Sequence, residues 1–252
     1  VANVQLVQAG EVEMGSTMTN IALEAWEGSE RFGGLKHDRV RAVLTLDKFA
    51  LQFYTPVDSG IRSVQDLEGR HISLSRAGSG TDTWGRRAFD IMGVELGRRS
   101  NVSNGEANDL IRDGALDAGG AMGSAHPSII ELNATDDIFV FGVGDGIDAV
   151  MEEYPDLFRV TLDDTYEGQT QPIVTIGEVN VVVCDKDMDA DLVYEITKLT
   201  YEQKAQMADG YQGFATIDPS DIQYNLIPLH PGAYRYYQEI GVDVPEEIRP
   251  ID

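Results

Sequence analysis

Cysteine is almost absent from this 252-residue chain: Cys184 stands alone at the end of the apolar run 179–183. No internal disulfide can form, and a buried strand-end thiol is expected. Lysine is scarce, with five residues against fourteen arginines, and the 19 basic residues face 43 acidic ones for a formal net charge of −24. That balance excludes nucleic acid as a partner class, and an acidic, lysine-poor surface hints at a salty habitat. The four histidines (His37, His71, His126 and His230) show no metal-ligand spacing, so no metal or other cofactor is expected. No stretch approaches the roughly 18 apolar residues of a membrane span. The start of the chain has no signal-peptide pattern, and Val1 to Val7 already reads as part of an element, so something is expected to precede it in the parent protein.

The stretch 69–93 carries the strongest local pattern. His71 to Ser75 alternates apolar and polar residues, the period of a half-buried strand, while Trp84, Ala88, Phe89, Ile91 and Met92 fall near one face of a helix. Between them lies Gly78-Ser79-Gly80-Thr81. Its glycines let the backbone approach a ligand. The free N–H groups of the first helical turn, with the positive end of the helix dipole behind them, favour an anion. Ser79 and Thr81 can add hydroxyl donors, and Arg76 just before the turn can hold a carboxylate bidentately. The plainer alternative is that Thr81 or Asp82 only caps the helix. A phosphate-binding P-loop would end in Gly-Lys-Ser/Thr, a dinucleotide turn would have glycine at Thr83, and a nucleophile elbow would have it at Ala77. Carboxylate binding without covalent chemistry is the expectation.

Along the chain, Ser16 or Thr17 is placed to cap a helix over 21–27. Runs 41–46 and 49–54 read as two strands separated by Asp47-Lys48, and 56–60 breaks the pattern. From 82 to 154 helices and strands alternate: helices over 82–92, 106–113, 127–133 and 146–154, strands over 116–122 and 138–143. Such alternation argues for α/β layers around a largely parallel sheet. The run 158–172 is polar and 173–183 is a long extended stretch. Helices follow over 190–206 and from Pro231 to the stop at Gly241. Gly10, Glu13 and Gly15 align with Gly114, Asp117 and Gly119, as two units built alike would. These features place one lobe at 1–57 with 177–252 and the other at 58–176, joined by two crossing strands.

Several motifs in order, Asp66-Leu67-Glu68-Gly69-Arg70 before Gly78-Ser79-Gly80-Thr81, Asp113-Gly114-Ala115-Leu116-Asp117-Ala118, Val193-Tyr194-Glu195-Ile196-Thr197-Lys198, and His230-Pro231-Gly232-Ala233 with Tyr236-Tyr237-Gln238-Glu239-Ile240-Gly241, resemble the TAXI family. These are the extracytoplasmic solute receptors of tripartite ATP-independent periplasmic (TRAP) transporters. The resemblance implies a type II periplasmic-binding-protein fold with a ligand cleft between its lobes. It also implies a periplasmic, monomeric, non-enzymatic protein that captures a small carboxylate such as glutamate or glutamine and hands it to TRAP membrane subunits. Family members open with a strand, a glycine-rich turn and a helix that are missing before Val1. The expected ligand residues are Ser16 and Thr17 in the first lobe and Arg76, Gly78, Ser79, Gly80, Thr81, His126, Gln171 and Thr175. An enzyme or a ligand-sensing module on the same fold is the alternative, but no serine, cysteine or histidine falls in a nucleophile pattern and no basic helix-turn-helix segment is present.

Overall fold

A computed structural model describes residues 1–210 and 212–251. The chain forms two compact units, Val1–Lys48 with Glu178–Asp252, and Phe49–Gly177. The first passage between them falls inside a strand, between Lys48 and Phe49, rather than after residue 57.

In chain order the elements are α1 (Ala2–Ala9), β1 (Met14–Met18), α2 (Thr19–Glu27), β2 (Val40–Pro56), β3 (His71–Ser73) and α3 (Gly80–Met92). There follow β4 (Arg98–Ser100), α4 (Asn104–Arg112), β5 (Ala118–Gly123), α5 (Pro127–Asn133), β6 (Ile138–Phe141) and α6 (Ile147–Glu153). The chain continues through β7 (Phe158–Leu162), β8 (Ile173–Asp185), α7 (Ala190–Glu202), α8 (Lys204–Met207) and α9 (Pro231–Glu239).

In the unit containing the termini, β1 pairs antiparallel with the second half of β8, from Met14 opposite Cys184 to Met18 opposite Asn180. Ser16 and Thr17 are therefore ladder residues and not the caps expected; α2 begins at Thr19, with Met18 in the cap position and no side-chain cap. Strand pairing prevails there because the buried β8 alongside has amides and carbonyls that must find partners. The two strands expected at 41–46 and 49–54 are one strand, β2. Asp47-Lys48 brings no glycine or proline to turn the chain, and the Lys48 ammonium is held by Asp221 at 2.8 Å, so the charge does not interrupt the run. Cys184 is fully buried, and burial pushes its thiol up to about 12, which leaves it inert. His230 caps α9 through its Nδ1, which accepts the Gly232 N–H. The helix expected over 190–206 breaks at Gln203.

In the unit Phe49–Gly177 the strands β4, β3 and β5 run parallel, as βαβ crossovers require. The rest of that sheet is antiparallel: β2 to β5 and β6, and β7 to β8. The largely parallel sheet expected from alternation is thus a mixed one, because β2 and β8, the strands by which the chain enters and leaves the unit, are not joined to their neighbours by right-handed helical crossovers. β4 and β7, short strands with mostly accessible side chains, were not legible as strands.

Adjacent residues of β2 point to opposite faces. Tyr54 joins Ala107, Ile111, Ile129 and Leu132 in a core under α4 and α5. Phe53 stacks on Phe89 of α3, with ring centroids 5.4 Å apart. The result is a sheet covered by helices on both sides. The order helix, left-handed glycine, strand, helix occurs in each unit, α1–Gly10–β1–α2 in one and α4–Gly114–β5–α5 in the other, with φ of 70° and 68° at the two glycines.

Gly119 of β5 has no room for a side chain because Tyr54 packs against it: a Cβ there would come within 2.4 Å of the Tyr54 Cζ. Gly119→Ala is expected to destabilise this unit by about 1–3 kcal/mol through overpacking. Urea denaturation followed by tryptophan fluorescence measures it, and a midpoint equal to wild type would show that Tyr54 relaxes freely.

Candidate functional site

The turn from β3 into α3 is built by hydrogen bonds from outside its own sequence. Ser75, φ 63°, is a non-glycine residue in the left-handed region, a conformation that costs energy unless its surroundings hold it. Asn104 and Asn101 do so: the Ser75 hydroxyl donates to Asn104 Oδ1 at 2.8 Å, and Asn101 Nδ2 donates to the Ser75 carbonyl at 3.1 Å. Asn104 Nδ2 also donates to the Gly120 carbonyl at 2.9 Å, tying the corner to β5. Gly78 has φ 74°, and its N–H donates to Asp82 Oδ2 at 2.9 Å. The cap of α3 is Ser79, whose Oγ accepts the Asp82 N–H at 3.2 Å; Thr81 and Asp82, the caps of the plainer alternative, are the second and third residues of the helix.

Asp82 is 4% exposed, yet it stays charged. Burial pushes its carboxyl up, but the Gly78 N–H, the Asn101 amide and the positive charges of Arg86 and Arg99 outweigh that and hold it below the ordinary 3.8. An internal carboxylate therefore already answers part of the positive end of α3. The N–H groups of Gly80 and Thr81 are left without protein partners among the described residues. Gly80 is half-buried, and the Thr81 side chain is buried with its methyl 3.2 Å from where a Gly120 Cβ would stand. Arg76 and Gly78 are exposed beside them.

The corner thus brings together Arg76, Gly78, Ser79, Gly80 and Thr81. The other expected residues lie elsewhere. His126 caps α5, with Nδ1 accepting the Ser128 N–H at 3.3 Å, and burial lowers its pKa, so the ring is neutral. Its own N–H donates to the Tyr166 hydroxyl, which donates to Gln52 Oε1 at 2.6 Å. Thr175 is fully buried; its hydroxyl donates to the Leu51 carbonyl and accepts the Val143 N–H at 3.2 Å, so both functions of the group serve the sheet. Gln171 is exposed on the loop before β8, beside a groove of about 440 Å³ that Arg62 and Arg159 also line. Ser16 and Thr17 belong to the other unit, where the Ser16 carbonyl accepts Asn3 Nδ2 at 2.7 Å.

Sequence reasoning missed the residues that shape the corner: Asp82 in its supporting role, Asn101, Asn104, and Tyr54 beneath. Burial pushes the Tyr54 phenol up to about 12. The only local signal was two asparagines flanking Ser103, itself the cap of α4, and nothing in that pattern points at Ser75. Among the described residues no group of three or more His, Cys, Asp or Glu side chains is placed to hold a metal, and no helix is long and apolar enough to cross a membrane.

Because the folded-state pKa of Asp82 is depressed, its contribution to stability is present above about pH 4 and is lost as pH falls below the ordinary value. Asp82→Ala is expected to cost about 1–3 kcal/mol at pH 7, with the difference from wild type shrinking toward pH 3. Urea titrations at the two pH values measure this, and a pH-independent difference would mean that packing rather than charge is lost.

The sequence profile of the NMT1-like family matches residues 1–241. Among solved structures, XAC2383 from Xanthomonas citri, bound to chloride ion, superposes with a TM-score of 0.50 at 13% identity, over 94% of this chain and 82% of that one. The periplasmic aliphatic sulphonate binding protein SsuA from Escherichia coli gives 0.49 at 15% identity, over 97% of this chain and 80% of that one. At such identities likeness to a solved structure speaks for fold alone.

Proposed function

The chain belongs to the NMT1-like family, a family of periplasmic solute-binding proteins, and on that premise we propose that it is an extracytoplasmic receptor for a small carboxylate. Its fold is the α/β fold of type II periplasmic binding proteins. The observation that carries the ligand class is the pair of unpartnered N–H groups, Gly80 and Thr81, at the start of a 13-residue helix. They point at whatever lies before the helix, and the dipole behind them favours negative charge. Arg76 and the Ser79 hydroxyl flank them. Thr175 takes no direct part, its hydroxyl being engaged by Leu51 and Val143.

Asp82 sets a limit on this site. Its charge lies just behind the turn, so the corner suits one carboxylate at close range better than a diffuse cloud of negative charge. The net charge of −24 repels anions at a distance, but salt screens that field over roughly 8 Å. Capture then depends on the local donors, and a glutamate- or glutamine-like acid fits them. The likeness of the ordered motifs to the TAXI receptors makes a TRAP permease the proposed membrane partner, with the receptor acting as a monomer.

The amides can be tested without disturbing the helix. Gly80 is the first residue of α3 and Ser79 before it has ψ 165°, so proline is tolerated at 80 and removes one N–H. Gly80→Pro is expected to retain the melting temperature within a few degrees and to weaken binding of the best acid from a thermal-shift screen about tenfold. Calorimetric titration reads this directly, and unchanged affinity would remove the turn from the site. For the transport partner, uptake of the bound acid into vesicles carrying the receptor and its membrane subunits is expected to follow a sodium gradient without ATP. Uptake that requires ATP would assign the receptor to a different transporter class.

A further inference from the structure

Arginine is unevenly placed in this acidic chain. Residues 49–177 contain no lysine, and six of the fourteen arginines fall between Arg70 and Arg99. Two of the six are engaged on their own: Arg87 lies over the rings of Trp84 and Tyr154 at 4.7 and 4.6 Å, and Arg70 faces Asp117 at 3.7 Å. Three others, Arg86, Arg98 and Arg99, line a groove of about 470 Å³ between the C-terminal half of α3, the loop 94–97 and β4.

The Arg86 and Arg99 guanidinium groups are poorly neutralised. Arg86 and Arg99 share one carboxylate, Asp82, at 3.5 and 4.0 Å. That carboxylate already accepts from Gly78 and Asn101 at 2.9 and 3.1 Å, so the two forks keep donors for another acceptor. Arg98, one residue before Arg99 on β4 and paired with His71, sends its side chain to the opposite face of the strand. The wall of the groove is rigid. Gly97 packs so closely on Gly69 that a Cβ there would lie 2.2 Å from the Gly69 carbonyl oxygen. The Gly69 N–H donates to the Glu95 carbonyl at 2.8 Å, and the Arg98 N–H to the Arg70 carbonyl at 3.2 Å.

The groove is polarised. Arg86 and Arg99 meet at the Asp82 end. Asp90 lies one turn further along α3, toward the negative end of the helix dipole, and Glu95 follows on the loop. Phe89, Val94 and Leu96 supply an apolar lining between the charges. A simple dianion would meet the arginines but be opposed by Asp90 and Glu95. A ligand that carries an oxyanion and an ammonium group a few bonds apart satisfies both.

We propose that this groove, separate from the corner before α3, binds a zwitterionic phosphate ester, with the phosphoryl oxygens on Arg86 and Arg99 and the ammonium beside Asp90 and Glu95. Arginine forks match phosphoryl oxygens bidentately, and carboxylates near a helix C-terminus suit a cation. The group can belong to a soluble ester or to a phospholipid head, and the chemistry of recognition is the same for both.

The test is calorimetric titration of the full chain at constant ionic strength with O-phosphoethanolamine, inorganic phosphate and ethanolamine. Phosphoethanolamine is expected to bind more tightly than either of its halves. Arg99→Ala is expected to lower that affinity roughly tenfold with a melting temperature within a few degrees of wild type, whereas Arg98→Ala, on the opposite face of β4, is expected to leave the affinity unchanged. Asp90→Asn is expected to weaken phosphoethanolamine binding without weakening phosphate. Sedimentation with vesicles containing phosphatidylethanolamine, against vesicles of phosphatidylglycerol alone, separates the sources: retention on the first set assigns the lipid head, and binding of the free ester alone assigns a soluble one. Phosphoethanolamine binding no tighter than phosphate, or an affinity unchanged in Arg99→Ala, would overturn the site.

Discussion

A strand that passes out of one compact unit and into another must keep its backbone groups paired along its whole length, and β2 meets that constraint over 17 residues. In the terminal unit the Ala42 N–H donates to the Pro228 carbonyl at 3.0 Å and the Ala42 carbonyl accepts the His230 N–H at 2.8 Å. In the other unit β2 pairs with β5 and β6. Its most polar pair, Asp47-Lys48, falls where the units divide. Lys48 is neutralised by Asp221, whose carboxyl burial pushes up and Lys48 pulls down. Without that ion pair a charged dipeptide would interrupt an otherwise buried run.

The candidate site depends on a second buried charge. Asp82 holds the corner before α3 in shape by bonding Gly78 and Asn101, and the same charge lies close to where a ligand anion would bind. Rigidity and electrostatics act in opposite senses here. The network through Asn101, Asn104 and Ser75 holds the turn ready, which lowers the entropy lost on binding. The Asp82 charge reduces the attraction that the helix end exerts on another anion. The free Gly80 and Thr81 amides are what remains after the internal carboxylate has been served.

Local signals in the sequence were read well where one element is its own context. The β3–turn–α3 unit, the helix Pro127–Asn133 and the start of α9 at Pro231 follow from period, caps and proline placement. The placement of Ser16 and Thr17 in a ladder, the single strand through Asp47-Lys48 and the antiparallel setting of β2 against β5 were not legible. Each is decided by a partner far along the chain, and a one-dimensional pattern carries no record of which strand lies alongside.

The sequence by itself determined that the chain is an acidic α/β protein with little cysteine or lysine, and that a glycine-rich turn opens a helix. Those properties follow from composition and from spacing within a few residues. Only the tertiary structure decided which polar groups remain available. Thr175, an apparent ligand residue, has its hydroxyl engaged by Leu51, 124 positions away, while the N–H groups of Gly80 and Thr81 are left without a partner among the described residues. Whether a side chain is engaged depends on what folding brings within hydrogen-bond distance, and that is a property of the packed chain rather than of any segment of it.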